Sequence, residues 1–411
     1  MRSSAIFRGA AMVIATATAA LVLAGCSPDS SGGGGGDDTL TIGASLPLTG
    51  EFSQGGLDTQ QGYEVWEALT NENGGLLGRD VDIIIRDDAT NQNTVVTNYN
   101  ALIDEDQVDL LLGTQSSLLN IPGSAVAEQA GMVYICPSCG SPDMYNRGFE
   151  YIFFAQQALA ANQGEVFAEW IASLPDDQRP ATAAYPTLDD PFARPVIEGA
   201  EKILSDAGVE TVYQDVYPST TENFDAIVNA IVESGAELVV QGSQFEDGVN
   251  MVLAMDRAGF QPEVFYQSSS PAYGEQYLEG VGGAESAEGV LFSTSYHVDA
   301  ETNGNEEFVA KYEEMFGGPV PPEDAADGFA AAQVLAAAVE AVGSTDDQAA
   351  IAEWLHSNEV DTILGPLSWN DDGSPTGAFL IGQWQGGESE VVLPEDAATS
   401  DSILRWRGSA F

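Results

Sequence analysis

The sequence predicts an α/β protein of two doubly wound parallel-sheet lobes, and three observations carry that prediction. Short runs of Val, Ile, Leu and Tyr recur from residue 40 onward, apolar on consecutive rather than alternate positions. Amphipathic stretches of helical period, several ending at Gly, separate them. The alternation forms two sets, at about 39–155 and 158–284, followed by a mixed tail. A strand that is apolar on every position is buried on both faces, the condition of a parallel sheet flanked by helices. A chain of 411 residues also exceeds what one core holds.

In chain order the apolar runs are TLTIGASL, DVDIIIRDD, VDLLLG and MVYIC, then TAAYP, ELVVQG, EVFYQS and GVLFST. The helical stretches between them are QQGYEVWEALTNENGG and QNTVVTNYNALIDED, then RPVIEGAEKILSDAGVE, NFDAIVNAIVESGAE and GVNMVLAMDRAGF. Glycines close several of these, because a helix commonly stops on a residue with left-handed backbone angles. Residues 371–387 read as a turn and a strand. Trp66, Trp170 and Trp354 sit within helical patterns, where packing is their expected role.

The amino terminus carries an address. Arg2 and Arg8 precede the small and apolar run AAMVIATATAALVLAG, the layout of an export signal. Its end, LAGC, resembles the bacterial lipobox, so residues 1–25 are expected to be a leader and Cys26 the lipidated first residue of the exported chain. Residues 26–38, rich in Gly and Ser, then form a flexible tether holding the protein to the outer face of the cell membrane.

Charge narrows the partners. Sixty-four acids against 12 Lys and Arg give a formal charge of -52, which excludes nucleic acid. The same field repels anionic solutes at long range but not zwitterionic or neutral ones. Cys136 and Cys139 in ICPSCGS form an even pair in an exported chain, which favours a disulfide; free thiols and a redox or metal role are the alternatives. His297 and His356 lie far apart without ligand spacing, so no metal centre and no cofactor are expected. The sequence holds no GxSxG, HExxH or phosphate loop, so no enzyme is expected; a secreted hydrolase is the remote alternative.

In open parallel sheets ligands bind beyond the carboxyl ends of the strands. LLLGTQSS, residues 110–117, ends a strand in small hydroxyls just before a helix, and PSCGS, residues 137–141, follows the next strand. LPLTGEFSQGG adds Thr49, Ser53 and Gln54 after the first. Three loops are thus expected to bring hydroxyls to one edge, in competition with plain helix capping.

PLTG, NENGGLLGR, DDATNQ, LLGTQSS, YICPSCGSPDMYNRG and AGF before EVFYQ occur in an order that resembles the leucine/isoleucine/valine-binding type of ABC-transporter substrate-binding protein, over about residues 39–385. The resemblance implies a type I periplasmic binding fold, two lobes joined by a three-strand hinge and closing on a small solute. Carried over, lobe 1 is 39–157 plus 285–360 and lobe 2 is 158–284 plus 361–411. It implies delivery of the solute to a permease and ATPase without chemistry; an extracellular sensing domain feeding a signalling partner is the alternative use of the fold.

Residue by residue, the resemblance places a ligand carboxylate on Ser117 with Ser116 beside it. It adds Ser138, Cys139, Gly140 and Ser141 after the next strand, and Ser53 and Gly55 in the first loop, Gly55 leaving room for a larger ligand. In the second lobe it points to Phe192, Gln244 and Ser268, the last standing where relatives carry an acid for the ligand ammonium. Asp189, Asp190 and Glu246 are reserve partners for a cation. The expected pocket is more neutral than that of an aliphatic amino-acid binder, open to a bulkier amino acid, an amide or urea-like solute, or an aromatic carboxylate.

Overall fold

The computed structural model of the protein describes residues 39–317 and 320–411. The leader, the tether and the lipidation expected at Cys26 lie outside the described residues. The first elements are β1 (Leu40–Leu46), α1 (Ser53–Glu72), β2 (Val81–Asp87), α2 (Gln92–Asp104), β3 (Leu110–Leu112), α3 (Ser117–Ala130), β4 (Tyr134–Cys136) and β5 (Ile152–Phe154). They build a wholly parallel sheet in the order β2-β1-β3-β4-β5. Leu110 and Leu112 enter the core on one face and Leu111 the core on the other, which is why the run reads as unbroken leucine. Each fully buried leucine contributes about 1.5–3 kcal/mol.

The second set is α4 (Ala160–Gln163), α5 (Glu165–Ser173), β6 (Thr182–Leu188), α6 (Ala193–Asp206), β7 (Glu210–Tyr217), α7 (Asp225–Ser234) and β8 (Leu238–Gln241). It continues through α8 (Phe245–Ala258), β9 (Val264–Gln267), α9 (Glu275–Val281), α10 (Ala284–Ala287) and β10 (Leu291–Thr294). The chain then runs through α11 (Asn305–Phe316), α12 (Glu323–Val342), α13 (Gln348–Ser357), a ribbon of β11 (Val360–Thr362) with β12 (Gly365–Leu367), and finally β13 (Leu380–Gln385) and β14 (Glu388–Leu393).

The second sheet has the order β14-β13-β10-β9-β8-β6-β7. Its parallel part, β7-β6-β8-β9-β10, repeats the winding of the first sheet. β13 and β14 are antiparallel additions at one edge, so this sheet is mixed rather than wholly parallel. β13 reaches the free edge of β10 only after the chain has passed through α11–α13, and β14 folds back on β13 as a short hairpin. β7 escaped the apolar-run criterion because ETVYQDVY lies along an edge and is largely exposed.

Three crossovers join the sheets, following β5, β10 and Trp369. Gln157, in the first, bonds to all the rest of the hinge: its Nε2 donates to the carbonyl of Ser295 at 2.8 Å and of Leu364 at 3.0 Å, and its own carbonyl accepts from the Gly377 amide at 2.7 Å. β10 is hydrogen-bonded within the second sheet, although a boundary at 284/285 would assign it to the first lobe. Ile363, Leu367 and Trp369 pack into the first core, although a boundary at 360/361 would assign them to the second. The reason is common to both: the chain leaves a lobe after an element has been packed into its core, from the strand ends that face the cleft.

Helices α1 and α12 cross with their backbones in contact. A Cβ on Gly62 would lie 2.0 Å from the Ala325 carbonyl oxygen, and one on Gly328 would lie 2.8 Å from that of Thr59. This crossing sets the position of the amino end of α12. Gly62→Ala should force the helices apart and lower the unfolding free energy by about 1–3 kcal/mol, read as a fall in the denaturant midpoint; an unchanged midpoint would show that the crossing is slack.

Candidate ligand-binding site

The carboxyl ends of both sheets meet at a cavity of about 40 Å³, room for about three waters. The first lobe contributes Gln115 after β3, Ser138 and Gly140 after β4, and Gln156 after β5. The second contributes Phe192 after β6, Gln244 after β8, and Ser268 and Tyr273 after β9. Gln163 reaches it from α4, and α12 places Glu323, Asp324 and Asp327 on its wall. A groove of about 280 Å³ adjoins the cavity through the shared Gln244 and Tyr273 and is bordered by Glu51, Gly55 and Glu246.

Five of the expected residues therefore converge: Ser138, Gly140, Phe192, Gln244 and Ser268. The others serve the loops instead. Ser117 Oγ accepts from the Ser141 amide at 3.0 Å and so ties the β3 and β4 loops together. Ser116 caps α3 by accepting from the Leu118 amide, with φ at 72°, a backbone strain of about 1–3 kcal/mol. Ser141 Oγ accepts from the Asp143 amide at 3.3 Å, and Ser53 is not among the residues lining the cavity. Cys139 is buried and joined to Cys136 in a disulfide, its sulfur 3.0 Å from the Tyr145 hydroxyl. The space beside Gly55 is filled rather than free, since a Cβ there would lie 2.7 Å from Asp324 Oδ2 and 2.8 Å from Gln115 Nε2.

The second-lobe hydroxyl is also committed. Ser268 Oγ accepts from the Ser243 amide at 2.9 Å and donates to the Ser243 carbonyl at 3.0 Å. Asp190 Oδ1 accepts from the amides of Phe192 and Ala193, capping α6, and Asp189 pairs with Arg194 at the surface. Glu246 borders the groove, not the cavity.

The pocket is acidic rather than neutral. Asp327 is 1 % exposed and Asp58, behind it on α1, is 2 % exposed, while Glu323 and Asp324 are half-buried on the cavity wall. Among the described residues lining the cavity, none is Lys, Arg or His. Every partner of these carboxylates is a neutral donor. Asp327 Oδ1 accepts from Ser295 Oγ at 2.6 Å and Oδ2 from the Gln156 amide, Glu323 accepts from Thr294 Oγ1, and Asp58 accepts from Gln54 Nε2 at 3.2 Å. Tyr273, from the other lobe, lines the same cavity as Asp324.

Burial is the first cause in each case, and it pushes Asp58 and Glu323 up to about 7. It raises Asp324 and Asp327 well above the carboxylate range, with the charges of Asp58 and Glu323 adding to the first and those of Glu323 and Asp324 to the second. A helix amino terminus favours an acid by about 0.3–1 kcal/mol, whereas enclosing an unpaired carboxylate costs several. The dipole of α12 therefore does not compensate its acids. Their trace in the sequence, PPEDAADG, is an acidic opening on an otherwise apolar helix, but it was submerged among 64 acids. The Oε1 atoms of Gln115 and Gln163, two further wall residues, are buried without a hydrogen-bond partner.

A family model described as periplasmic binding protein matches residues 39–388. The chain belongs to that family. The Leu/Ile/Val-binding protein homolog 3 of Brucella melitensis is 25% identical over 354 residues, 85% of this chain and 92% of that protein. The solved leucine binding protein LivK of Thermotoga maritima superposes with a TM-score of 0.76 at 19% identity, over 87% of this chain and 99% of that one. A solute binding protein of R. palustris solved with benzoate superposes with a TM-score of 0.73 at 20% identity, over 89% of this chain and 99% of that one. In this periplasmic binding protein Ser268 of the second lobe brings a hydroxyl to the cavity, and the acids come from α12, which packs in the first lobe.

Two outcomes follow for this family member. Asp58 and Glu323, raised to about 7 in the fold, ionise near 4 in the unfolded chain, so between those values the fold binds more protons and its stability falls as pH rises. The ligand-free protein should melt higher at about pH 5 than at about pH 7.5, and Asp58→Asn should shrink the difference; an unchanged difference would remove Asp58 from the effect. Ser117→Ala strands the Ser141 amide and should lower the unfolding free energy by about 1–3 kcal/mol, measured by chemical denaturation.

Proposed function

We propose that the protein is the extracytoplasmic solute-binding receptor of an ABC importer, closing two lobes over a small amino acid or a related solute. The observation that carries this reading is the cavity itself: it lies at the strand ends of both sheets, and among the described residues three crossovers, tied together by Gln157, link the lobes. A solute between such lobes adds contacts to each and so favours the closed arrangement. Ser138, Gly140, Phe192, Gln244 and Ser268 form its wall in this reading, with Phe192 supplying an apolar face. The relatives named for leucine and solved with benzoate support a solute of that size. Delivery goes to a permease and an ATPase, and Cys26 carries the lipid that holds the receptor to the outer face of the membrane. The bound solute leaves as it came, without chemistry.

The test is a thermal-shift and calorimetric screen of the purified protein with leucine, isoleucine, benzoate, acetamide, urea, putrescine and agmatine. A true ligand at about 100 times its dissociation constant should add about 2.7 kcal/mol to stability, and mass spectrometry should recover it unchanged. No stabilising solute, or recovery of a converted product, would overturn the reading.

A further inference from the structure

We infer that the cleft takes a cationic solute, a small amine or guanidine of net positive charge without a carboxylate, held by Asp324, Asp327 and Glu323 at the amino end of α12. This rests on the receptor reading above and names the class of its ligand.

Two independent inventories converge on it. On the acceptor side the described lining residues include three carboxylates and no base, and two more of them, Gln115 and Gln163, hold buried Oε1 acceptors with no partner. Gln115 is 3 % exposed and Gln163 is 5 % exposed, so neither acceptor is satisfied from bulk solvent. An ammonium or guanidinium offers three to five N–H donors and no acceptor, which is the complement of such a wall. On the donor side two of the groups expected to cradle a carboxylate are already used. The Ser141 amide is given to Ser117, and the Ser268 hydroxyl is given to the Ser243 carbonyl. A ligand carboxylate would enter beside three other carboxylates with these two donors spent.

The approach to the cavity has the same sign. The adjoining groove is bordered by Glu51 from the first lobe and by Glu222 and Glu246 from the second, again with no Lys, Arg or His among its described lining residues. Burial raises Glu51, and the charges of Glu246 and Asp190 across the seam raise it further. Like charges facing each other across a closing seam repel, and a cation between them replaces repulsion with attraction on both sides. Tyr273 and Ser268 from the second lobe share the cavity wall with Asp324 from the first, so the acids stand at the seam between lobes.

Calorimetric titration of the whole protein with putrescine and agmatine, against leucine, benzoate and acetamide, tests the assignment; high salt suppresses loose binding to the acidic surface. One site per chain should remain in high salt, with putrescine or agmatine at least tenfold tighter than the others. Asp324→Asn should weaken that amine at least tenfold while raising the melting temperature of the ligand-free protein near neutral pH. A group with a purely structural role would lower it. Asp327→Asn is the second variant, expected to weaken the amine in the same way. Binding of leucine, benzoate or acetamide with neither amine bound would overturn the cationic assignment and leave the receptor reading in place. Amine affinity unchanged in both variants would also overturn it, and no binding by any solute of the full screen, isoleucine and urea included, would overturn both.

Discussion

Carboxylates enclosed without a counter-charge are the constraint on which the cleft depends. α12 does two jobs along its length. Its Ala-rich body, from Ala325 to Val339, is packed into the first core, and its acidic opening stands at the seam between lobes. The two are inseparable, because a straight helix fixed at one end points its other end without freedom. The glycine crossing with α1 fixes the body, and the body fixes the acids. The cost of enclosing them is borne by the rest of the fold, which is the usual relation between a binding site and its scaffold.

Each lobe solves the problem of its strand-end loops in the same way. In the first, Asn120 Nδ2 donates to the carbonyls of Thr114, Ser116 and Ser138, and Ser117 adds the bond to Ser141, so the β3 and β4 loops move as one piece. In the second, Ser268 clasps both backbone groups of Ser243 and so joins the β9 loop to the β8 loop. Buried polar groups are costly when unpaired, so small side chains at these ends are spent on backbone partners. The walls are thereby stiff, while the hinge is tied by a few bonds from Gln157, Trp369 and Gly373 and remains the slender part of the molecule. Stiff walls on a slender hinge suit closure about a guest.

The identity of the cleft's electrostatics comes from which hydrogen-bonding capacity is left over after the fold has satisfied itself. Backbone amides at the strand ends are consumed locally by side-chain oxygens, over short sequence distances such as Leu118 to Ser116 and Asp143 to Ser141. Acceptors at the cleft come from positions far apart in the chain, Gln115, Gln163 and the α12 acids, and Asp327 and Glu323 meet only neutral donors, from Ser295, Gln156 and Thr294. The imbalance follows from topology, since loops turn back on themselves and satisfy their own amides, whereas a helix arriving end-on presents carboxylates to whatever neutral groups the other elements bring.

The fold was legible because its cause is local. Two-faced apolar runs such as Leu110 to Leu112 and Gly-terminated amphipathic helices report burial by themselves, and they specify parallel sheets wound twice. The loops that would form the cleft were legible for the same reason, since strand ends can be located in a sequence. Exposed β7, the antiparallel edge and the residues at which the lobes divide were not, because their neighbours are distant in the chain. Nor was the division of labour at the strand ends: whether Ser117 or Ser268 meets a guest or its own backbone depends on a loop 24 or 25 residues away. Sequence by itself determined the family and the two-lobed α/β architecture, and it located the strand-end loops that line the cavity. Only the tertiary structure decided the sign of the cleft, because α12 enters it far along the chain from the strand ends it joins in both lobes, and charge depends on what space brings together.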